Sequence, residues 1–433
     1  MAFNKSIAEE LRERLPSHID VNTFHSKGLR VLLSNFRIKP KINENKCFVI
    51  GKKILDTKDM DVKQQIRYLF EIQIIWNYIR VNLITDYEKE IPGICIEKNI
   101  EFQERMVGDM EQIRNAWHKE MKKINSVKEI NIDFTDMLYF PYQLLDSEDF
   151  PKYDIVTLDE QQDANTLQKE LALRYIKKSG RFVVVGDSRQ CIYGFQGSSL
   201  EVFKSLQSYP NTIVLPLDIT YRCGKNIVEE ARKVFNNGIV AAPNAIDGIV
   251  RKGEFDEAEN GDFILCRNNL PLATVFLYLL EMGKKATIKG KEYGDALVAL
   301  VDKIKYIEDL DAMCEKKISE LKERGLTDIQ AKNNPSYVAF LEKCTILKIL
   351  YKNWGDMKKL EDNIKEIYKD DTEGIVLSTI HKSKGLEADR VFLLNKSLIP
   401  SKYANTEEAL YNEKCLLFVA ITRARKELVY CNV

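Results

Sequence analysis

Two adjacent carboxylates, Asp159 and Glu160, follow the apolar run at 155–158 in the segment DIVTLDEQQD. If that run is a buried parallel strand, the pair lies at the carboxyl edge of its sheet, where ligands bind in open α/β folds. One carboxylate there can hold Mg²⁺ through its water shell, while the next orients an attacking water. The alternative interpretation is an exposed acidic turn after a strand.

A second loop adds groups suited to a nucleotide and to nucleic acid. In RFVVVGDSRQCIYGFQGSS (181–199) another apolar run ends in Gly-Asp, and the loop then presents Gln190, Tyr193 and Phe195. An amide beside a nucleotide can sense a terminal phosphate, and exposed aromatic rings can stack on unpaired bases. Tyr and Phe alone are more often core residues, but their position among Gly and Ser after a sheet edge favours binding.

The elements that must position these loops are short apolar strands that alternate with helices. The strand runs are 155–158, 182–185, 213–217, 263–266, 375–378, 391–394 and 428–430. Apolar residues on consecutive positions are typical of parallel strands buried on both faces. Helical stretches at 166–178 and 225–235 lie between them, so the sequence predicts an α/β fold.

Two stretches, 41–126 and 291–370, break this alternation because they have a helical period and no strand runs. We interpret them as helical insertions, each interrupting one α/β domain. The alternative for the second is a coiled-coil dimerisation arm, although charged faces of this kind are more commonly solvated helix surface.

The composition bounds the class of protein. The 433 residues are 45% hydrophobic and 30% charged, which excludes a collagen and a wholly disordered chain. Lys+Arg and Asp+Glu both number 65, so any binding of polyanions must come from local patches. The nine Cys form no CxxC pair, which indicates reduced thiols. The N-terminus is charged within its first five residues and lacks an apolar core, so we expect no signal peptide there. No apolar run is long enough for a membrane span, so we expect a cytoplasmic protein, in a bacterial cytosol or a virus-infected host cell.

A set of motifs carries a family resemblance. DEQQD, VVGDSRQCIYGFQGS, LPLDITYRCGKNIVEEA, VLSTIHKSKGLEADRVFLL and LLFVAITRARKEL follow one another between residues 159 and 428. In that order they resemble the later motifs of superfamily 1 DNA helicases of the UvrD/Rep/PcrA kind. AFNKSIAEEL (2–11) and NTFHSKG (22–28) resemble the early DNA-contacting motifs, and NIDFTDMLYFPYQLL (131–145) resembles the segment that returns to the first motor domain.

The resemblance implies two RecA-like parallel-sheet motor domains, each interrupted by a helical insertion. Residues 1–40 and 127–214 would form the first RecA-like domain, N-terminally incomplete, with 41–126 as its insertion. Residues 215–290 and 371–433 would form the second, with 291–370 as its small insertion.

The resemblance also implies a role for each matched residue. Asp159 would coordinate Mg²⁺ through water, Glu160 would be the base for the hydrolytic water, and Gln190 would read the γ-phosphate. The other nucleotide contacts would be the arginine fingers Arg222 and Arg423, the adenine-stacking Tyr221, Glu387 at the ribose, and Gly385. The residues of the single-strand DNA track would be Phe3, Thr23, His25, Tyr193, Phe195 and His381. Gln196 stands where the family usually has Arg, so this position lacks the positive charge of one contact to DNA or phosphate.

The family's phosphate-binding loop, GxxxxGK[ST], is missing from this sequence. The GK pairs begin at Gly51, Gly224, Gly283 and Gly290, and none has a Gly five residues earlier or a Ser or Thr after the Lys. Three explanations compete: a truncated reading frame, which we favour because the downstream catalytic residues are present; a separate polypeptide that supplies the loop; or a degenerate relative without ATPase activity.

Two functions follow from these observations. The first is an ATP- and Mg²⁺-dependent 3′-to-5′ single-strand DNA translocase or helicase in replication, repair or recombination, acting on single-stranded and 3′-tailed duplex DNA. The second is a non-catalytic fragment that holds single-stranded DNA or a partner. A helicase–nuclease is disfavoured, because the sequence leaves no room for a nuclease domain after Arg425.

Overall fold

The computed structural model of the chain describes residues 5–433 apart from 99, 193–199, 237, 324–325 and 370–373. It divides into two compact units, Met1–Val214 and Leu215–Val433. The described helices are α1 (Lys5–Arg14), α2 (Phe24–Asn35), α3 (Lys46–Ile54), α4 (Val62–Asn82), α5 (Tyr87–Glu97), α6 (Arg105–Lys122), α7 (Asp136–Leu144), α8 (Thr166–Arg174), α9 (Leu200–Gln207), α10 (Lys225–Arg232), α11 (Asn269–Glu281), α12 (Lys291–Val301), α13 (Asp309–Glu323), α14 (Asp328–Lys332), α15 (Pro335–Trp354), α16 (Met357–Ile367) and α17 (Glu407–Ile421).

The strands alternate with these helices and pair in parallel. They are β1 (Lys39–Ile42), β2 (Glu129–Ile132), β3 (Tyr153–Leu158), β4 (Ile176–Val184), β5 (Ile219–Thr220), β6 (Val240–Ala241), β7 (Ile249–Lys252), β8 (Phe263–Cys266), β9 (Ala286–Lys289), β10 (Tyr368–Lys369), β11 (Ile375–Thr379), β12 (Ala388–Leu394) and β13 (Ala424–Cys431). The predicted α/β class with parallel sheets is therefore confirmed.

The second unit is built on a seven-stranded sheet with the order β10-β9-β11-β8-β12-β13-β7. Every residue of β8 and of β11 is buried, as their consecutive apolar residues predicted. Helices α12–α16 lie in the chain between β9 and β10. Strands β5 and β6 form a separate pair.

The first unit contains two small parallel sheets, β1-β2 and β3-β4. Helices α3–α6 lie in the chain between β1 and β2, whose pairing brings the two ends of this helical stretch together. Strands β3 and β4 differ from the prediction that both faces are buried: in β3 only Val156 and Leu158 are buried, and in β4 no residue is buried.

Two predicted boundaries are wrong. Residues 213–217 form no strand, and their side chains are exposed, up to 83% for Leu217. The segment includes Pro216, which has no N–H for a sheet ladder. The helix predicted over 166–178 ends at Arg174, because the Tyr175 carbonyl accepts from the Tyr153 amide at 2.8 Å and the chain continues as β4.

A buried ionic cluster joins the helical stretch of the first unit to β2 and α7. Arg80 of α4 donates to both Asp133 and Asp136, at 2.6 and 2.8 Å, and Lys46 of α3 lies 2.6 Å from Asp136. The Trp117 indole of α6 also donates to Asp136 at 2.8 Å. Burial raises the pKa of the Asp136 carboxyl, and the Lys46 and Arg80 cations oppose that rise. Two cations and two carboxylates thus neutralise each other away from water.

None of the described helices combines the length and the apolar character that crossing a bilayer demands.

Substitution of Arg80 by Ala should lower the free energy of unfolding by about 3–5 kcal/mol, because both carboxylates would stay buried without their main cation. Urea unfolding at neutral pH measures the difference. Arg67→Ala on the same helix is the matched control, since the partly exposed Arg67–Glu71 pair should contribute only about 0.5 kcal/mol. Equal losses in the two variants would contradict the role of the cluster.

Candidate functional site

The carboxylate pair lies immediately after β3, as predicted. Glu160 has a left-handed backbone with φ +51°, which is uncommon for a residue other than glycine. The next amide, of Gln161, donates to the Val185 carbonyl at 3.0 Å and holds the turn against the end of β4. A strained turn of this kind is typical of functional sites.

Gln162 links this turn to the loop after β4. Its side chain is completely buried, and its amide nitrogen donates to the Glu160 carboxylate. Its amide oxygen accepts from the backbone N–H of Asp187 at 3.0 Å. The sequence prediction did not include Gln162, and the only signal was an amide two residues after Glu160.

Asp187 continues the connection to Gln190. Its carboxylate accepts from the Arg189 guanidinium at 2.8 Å and from the Gln190 side-chain amide at 3.2 Å. Gly186 permits the approach, since a Cβ there would lie 2.7 Å from the Gln162 amide oxygen. The structure thus brings Glu160 and Gln190 to one sheet edge through Gln162 and Asp187.

The chemistry of this edge suits Mg²⁺. The ion prefers oxygen ligands, and proteins usually hold it through one or two carboxylates together with phosphate oxygens and water. Asp159 offers such a carboxylate, and its Oδ1 also accepts from the Glu160 amide at 3.0 Å. Asp159 would hold the ion, which would supply charge neutralisation at the phosphates.

A second group of predicted residues lies at the start of α2. Thr23 caps this helix, because its hydroxyl accepts from the Ser26 amide at 3.2 Å. Burial lowers the pKa of His25, so the imidazole is neutral at neutral pH. Phe3, Tyr193 and Phe195 lie outside the described residues, so their predicted contacts with DNA stay predictions.

Phe134 is an exposed aromatic residue that the sequence prediction did not include. Its ring centroid lies 6.4 Å from that of His25 in an edge-on arrangement, and 52% of the residue is exposed. The sequence indicated its exposure only through its position between Asp133 and Asp136, because flanking polar residues favour a surface position. Gly28 brings α2 close to α7, since a Cβ there would overlap the Met137 carbonyl.

Cations lie close to the start of α2. Arg12 and Arg30 line a cavity of about 580 Å³ together with residues 15–22. Arg12 donates to the Val21 carbonyl at 3.1 Å, and Arg30 donates to the Asn22 side chain at 3.2 Å. Asp20 also lines this cavity and lies 3.8 Å from the Arg30 guanidinium, so part of the positive charge is neutralised there.

In the second unit the structure brings Tyr221, Arg222 and Glu387 together. Tyr221 is 80% exposed, and the guanidinium of the adjacent Arg222 donates to the Glu387 carboxylate. Arg425 contacts the same carboxylate at 3.5 Å and Asp389 at 2.7 Å. An exposed ring beside half-exposed guanidinium groups suits a nucleotide, since half-exposed ion pairs are weak enough for a phosphate to compete.

Arg423 is buried, and it contacts the backbone next to Glu387. Only 1% of it is exposed, and its guanidinium donates to the carbonyls of Leu386 at 3.0 Å and Val419 at 3.1 Å. Its carbonyl accepts from the Ala388 amide at 3.0 Å, which fixes the backbone on both sides of Glu387. Gly385 is exposed with φ +85°, so it forms the open turn before Leu386.

His381 lies at the opposite edge of the seven-stranded sheet from Glu387. It follows β11, whereas Glu387 precedes β12, and both strands run parallel to β8. Burial, together with the Arg267 cation, lowers the pKa of His381 to about 4, against an opposing effect of Glu413. Arg267, which follows β8 and pairs with Glu413 at 2.5 Å, was not predicted, and its position directly after an apolar strand was the signal.

Comparison with known families identifies both halves of the chain. The UvrD/REP helicase N-terminal domain matches residues 1–210, and the UvrD-like helicase C-terminal domain matches residues 276–432. The chain belongs to the UvrD/Rep helicase family. The family resemblance and the two-domain RecA-like fold inferred from the motifs are confirmed at this level.

This UvrD/Rep chain is similar to several known DNA helicases. The ATP-dependent DNA helicase Rep of Buchnera aphidicola subsp. Acyrthosiphon pisum is 21% identical, over 100% of this chain and 87% of that protein. F-box DNA helicase protein 1 of Schizosaccharomyces pombe is 27% identical, over 69% of this chain and 37% of that protein. The ATP-dependent DNA helicase PcrA of Bacillus subtilis is 27% identical, over 55% of this chain and 33% of that protein. The chain therefore spans most of that Rep but only about a third of the other two.

The low pKa of His381 predicts a pH dependence of stability. Below pH 6.5 the unfolded chain protonates this residue, while the folded chain keeps it neutral down to about pH 4. Unfolding therefore becomes easier as the pH falls through this window, by on the order of 2 kcal/mol at pH 5.

Urea unfolding of wild type and His381→Gln at pH 7.5 and pH 5 isolates this contribution, because the other titrating groups are shared. We expect wild type to lose more stability than the variant between the two pH values. An equal loss in both proteins would mean that His381 titrates normally.

Proposed function

We propose that the chain is the motor of an ATP-dependent 3′-to-5′ single-strand DNA translocase or helicase that acts in replication, repair or recombination in the cytosol. Its substrates are single-stranded and 3′-tailed duplex DNA. The first RecA-like domain comprises 1–40 and 127–214 with the insertion 41–126, and the second comprises 215–290 and 371–433 with the insertion 291–370. The names of the relatives support the activity, and the motifs of the UvrD branch support the polarity.

The observation that carries this proposal is the connected series Glu160–Gln162–Asp187–Gln190 at the carboxyl edge of β3 and β4. It couples the group that activates water to the group that reads the terminal phosphate. The buried Gln162 holds the Glu160 carboxylate in place, so that one oxygen can accept the proton of the attacking water.

The remaining nucleotide contacts are assigned by their family motifs. Asp159 holds Mg²⁺, Gln190 donates to the γ-phosphate, and Arg222 and Arg423 stabilise its developing charge. Tyr221 stacks on adenine, Glu387 contacts the ribose, and Gly385 belongs to the same nucleotide-binding group. The exposure of Tyr221 and Arg222 supports this assignment, whereas Arg423 reaches a phosphate only if its side chain leaves the Leu386 carbonyl.

The single-strand track combines stacking rings with nearby cations. Phe134, together with His25 and Thr23, forms its part on the first unit, and Arg12 and Arg30 supply positive charge nearby. Phe3, Tyr193, Phe195 and His381 are assigned to the same track by their motifs. The neutral His381 offers a ring and a hydrogen bond to a base rather than a cation to a phosphate.

For the motor to hydrolyse ATP, the phosphate-binding loop would come from an upstream segment of the same protein or from a separate chain. The support is that no GxxxxGK[ST] occurs in the sequence. The same observation favours a second candidate function, a non-catalytic fragment that binds single-stranded DNA or a partner.

The ATPase activity decides between the two functions. The 433-residue chain should hydrolyse ATP negligibly, because no loop amides and Lys cradle its phosphates, and addition of the loop segment should give DNA-stimulated turnover. In that protein Glu160→Gln should keep nucleotide binding and lose most turnover, and Arg423→Ala should lower kcat by about 10³-fold.

The matched control is Glu129→Gln on β2, which removes an exposed carboxylate and should leave turnover unchanged. Hydrolysis by the unextended chain would refute the need for an added loop. An inactive extended protein would establish the non-catalytic function instead.

Single-strand DNA binding should depend on Phe134. Its replacement by Ala should cost about 1–3 kcal/mol if the ring stacks on a base, and Tyr193→Ala and Phe195→Ala should each cost a similar amount. Fluorescence anisotropy with a labelled oligothymidine at fixed salt measures the change. Phe102→Ala removes a comparably exposed ring elsewhere on the first unit and should have no effect. Equal affinity of all variants would argue against the track.

A further inference from the structure

The first amide groups of α11 are bound by a carboxylate from the helical stretch 291–370. One oxygen of Glu342, on α15, accepts from the backbone N–H groups of Asn269 at 3.0 Å and Leu270 at 3.1 Å. N–H groups at this end of a helix have no partner inside the helix, and a carboxylate there also interacts favourably with the helix dipole. Glu342 therefore caps a helix that begins more than 70 residues earlier in the chain.

This cap is unexpected, because the residue before α11 is itself a good capping residue. Asn268 occupies the N-cap position, and Asn is among the residues that cap helices best. Its side chain nevertheless makes no capping hydrogen bond. The side-chain oxygen of Asn268 instead accepts from the Arg267 guanidinium at 3.2 Å. Because Glu342 caps the helix, the Asn268 side chain is released from that role.

Asn268 and His381 follow neighbouring parallel strands of the seven-stranded sheet. Cys266 of β8 and Thr379 of β11 are paired in register, and the Ile380 amide donates to the Cys266 carbonyl at 3.0 Å. Asn268 and His381 each come two residues after this pair, and both are half-buried. Parallel strands carry the residues that follow them to the same edge of a sheet. The sheet therefore brings the Asn268 amide to the edge that carries His381.

The polar groups at this edge are neutral or neutralised. The Arg267 guanidinium donates to the two oxygens of Glu413 at 2.9 and 2.5 Å, and burial keeps His381 neutral at pH 7 by lowering its pKa to about 4. Within the described part of the chain, the NH₂ group of the Asn268 side chain has no acceptor, so both of its N–H donors are available to a ligand. An uncharged amide suits the edge of a base better than a phosphate.

We propose that Glu342 is a positioning residue for single-stranded DNA: by capping α11 it keeps the Asn268 side chain available to hydrogen-bond an unpaired base beside His381. This inference rests on the proposed function, because that function assigns His381 to the single-strand track. Without Glu342, the Asn268 side chain would turn to the free amides of α11, as an N-cap residue normally does. The helical stretch 291–370 thus influences DNA binding through a residue that does not contact DNA.

Binding of a labelled oligothymidine to the 433-residue chain, measured by fluorescence anisotropy at fixed salt, tests this role. Glu342→Ala and Asn268→Ala should each weaken binding by about fivefold, as expected for one hydrogen bond. The double variant should bind no more weakly than either single variant, because both changes remove the same contact. Glu342→Gln should restore the affinity, since its side-chain oxygen can accept from the same two N–H groups.

Thermal unfolding separates positioning from a loss of structure. Glu342→Ala should unfold close to the temperature of wild type, because Asn268 then caps α11. The double variant, in which neither side chain caps the helix, should unfold about 2–4 °C lower. The matched control is Glu315→Ala on α13, which removes an exposed carboxylate of the same helical stretch and should change neither affinity nor unfolding temperature.

Three results would overturn the positioning role. The first is full affinity of Glu342→Ala, and the second is a double variant whose loss of affinity is the sum of the two single losses. The third is tighter binding by Glu342→Ala, because the carboxylate would then be repelling phosphates from the start of α11.

The proposed function fails in a different way. If wild type binds the oligothymidine while Glu342→Ala and Asn268→Ala have no effect, the proposed function stands and the positioning role is wrong. If wild type itself does not bind the oligothymidine, the proposed function fails, and the positioning role fails with it.

Discussion

The position of the exposed ring in the first unit depends on one buried guanidinium. Arg80 binds Asp133 and Asp136 in the core, and these carboxylates flank Phe134 in the chain. Because both neighbours are held inward, the turn presents Phe134 outward beside His25. The same cation is carried by α4, so the helical stretch between β1 and β2 is joined to the segment that follows β2. Loss of this charge would disturb the core and the position of Phe134 together.

The direction of the parallel strands decides which of the other candidate site residues lie close together. In the first unit the carboxylates and Gln190 follow strands and therefore meet at a carboxyl edge. In the second unit Glu387 and Arg423 each precede a strand, so they meet at the amino edge of β12 and β13. His381 and Arg267 follow β11 and β8 and meet at the other edge of that sheet. Only five residues lie between His381 and Glu387 in the sequence, but the two side chains lie at opposite edges of the sheet.

The arginines of the second unit show how burial decides what a cation can do. Arg423 is enclosed and bonded to two carbonyls, so it positions the backbone on either side of Glu387. Arg222 and Arg425 remain accessible on a shared carboxylate. A guanidinium keeps its charge in both settings, but only an accessible one can exchange a carboxylate for a phosphate at small cost.

The sequence by itself determined the α/β class, the parallel strands of the second unit and the turns that carry Asp159, Glu160 and Gln190, because consecutive apolar residues and the polar groups after them are local patterns. It also determined the family, through the order of its motifs. Only the tertiary structure decided that Gln162 bridges Glu160 and Asp187, that Phe134 faces outward, and that 213–217 is no strand. These outcomes depend on residues that are distant in the chain. A strand needs a neighbouring strand to pair with, and a buried amide or guanidinium needs a specific acceptor. The local sequence pattern identifies neither the neighbouring strand nor the acceptor.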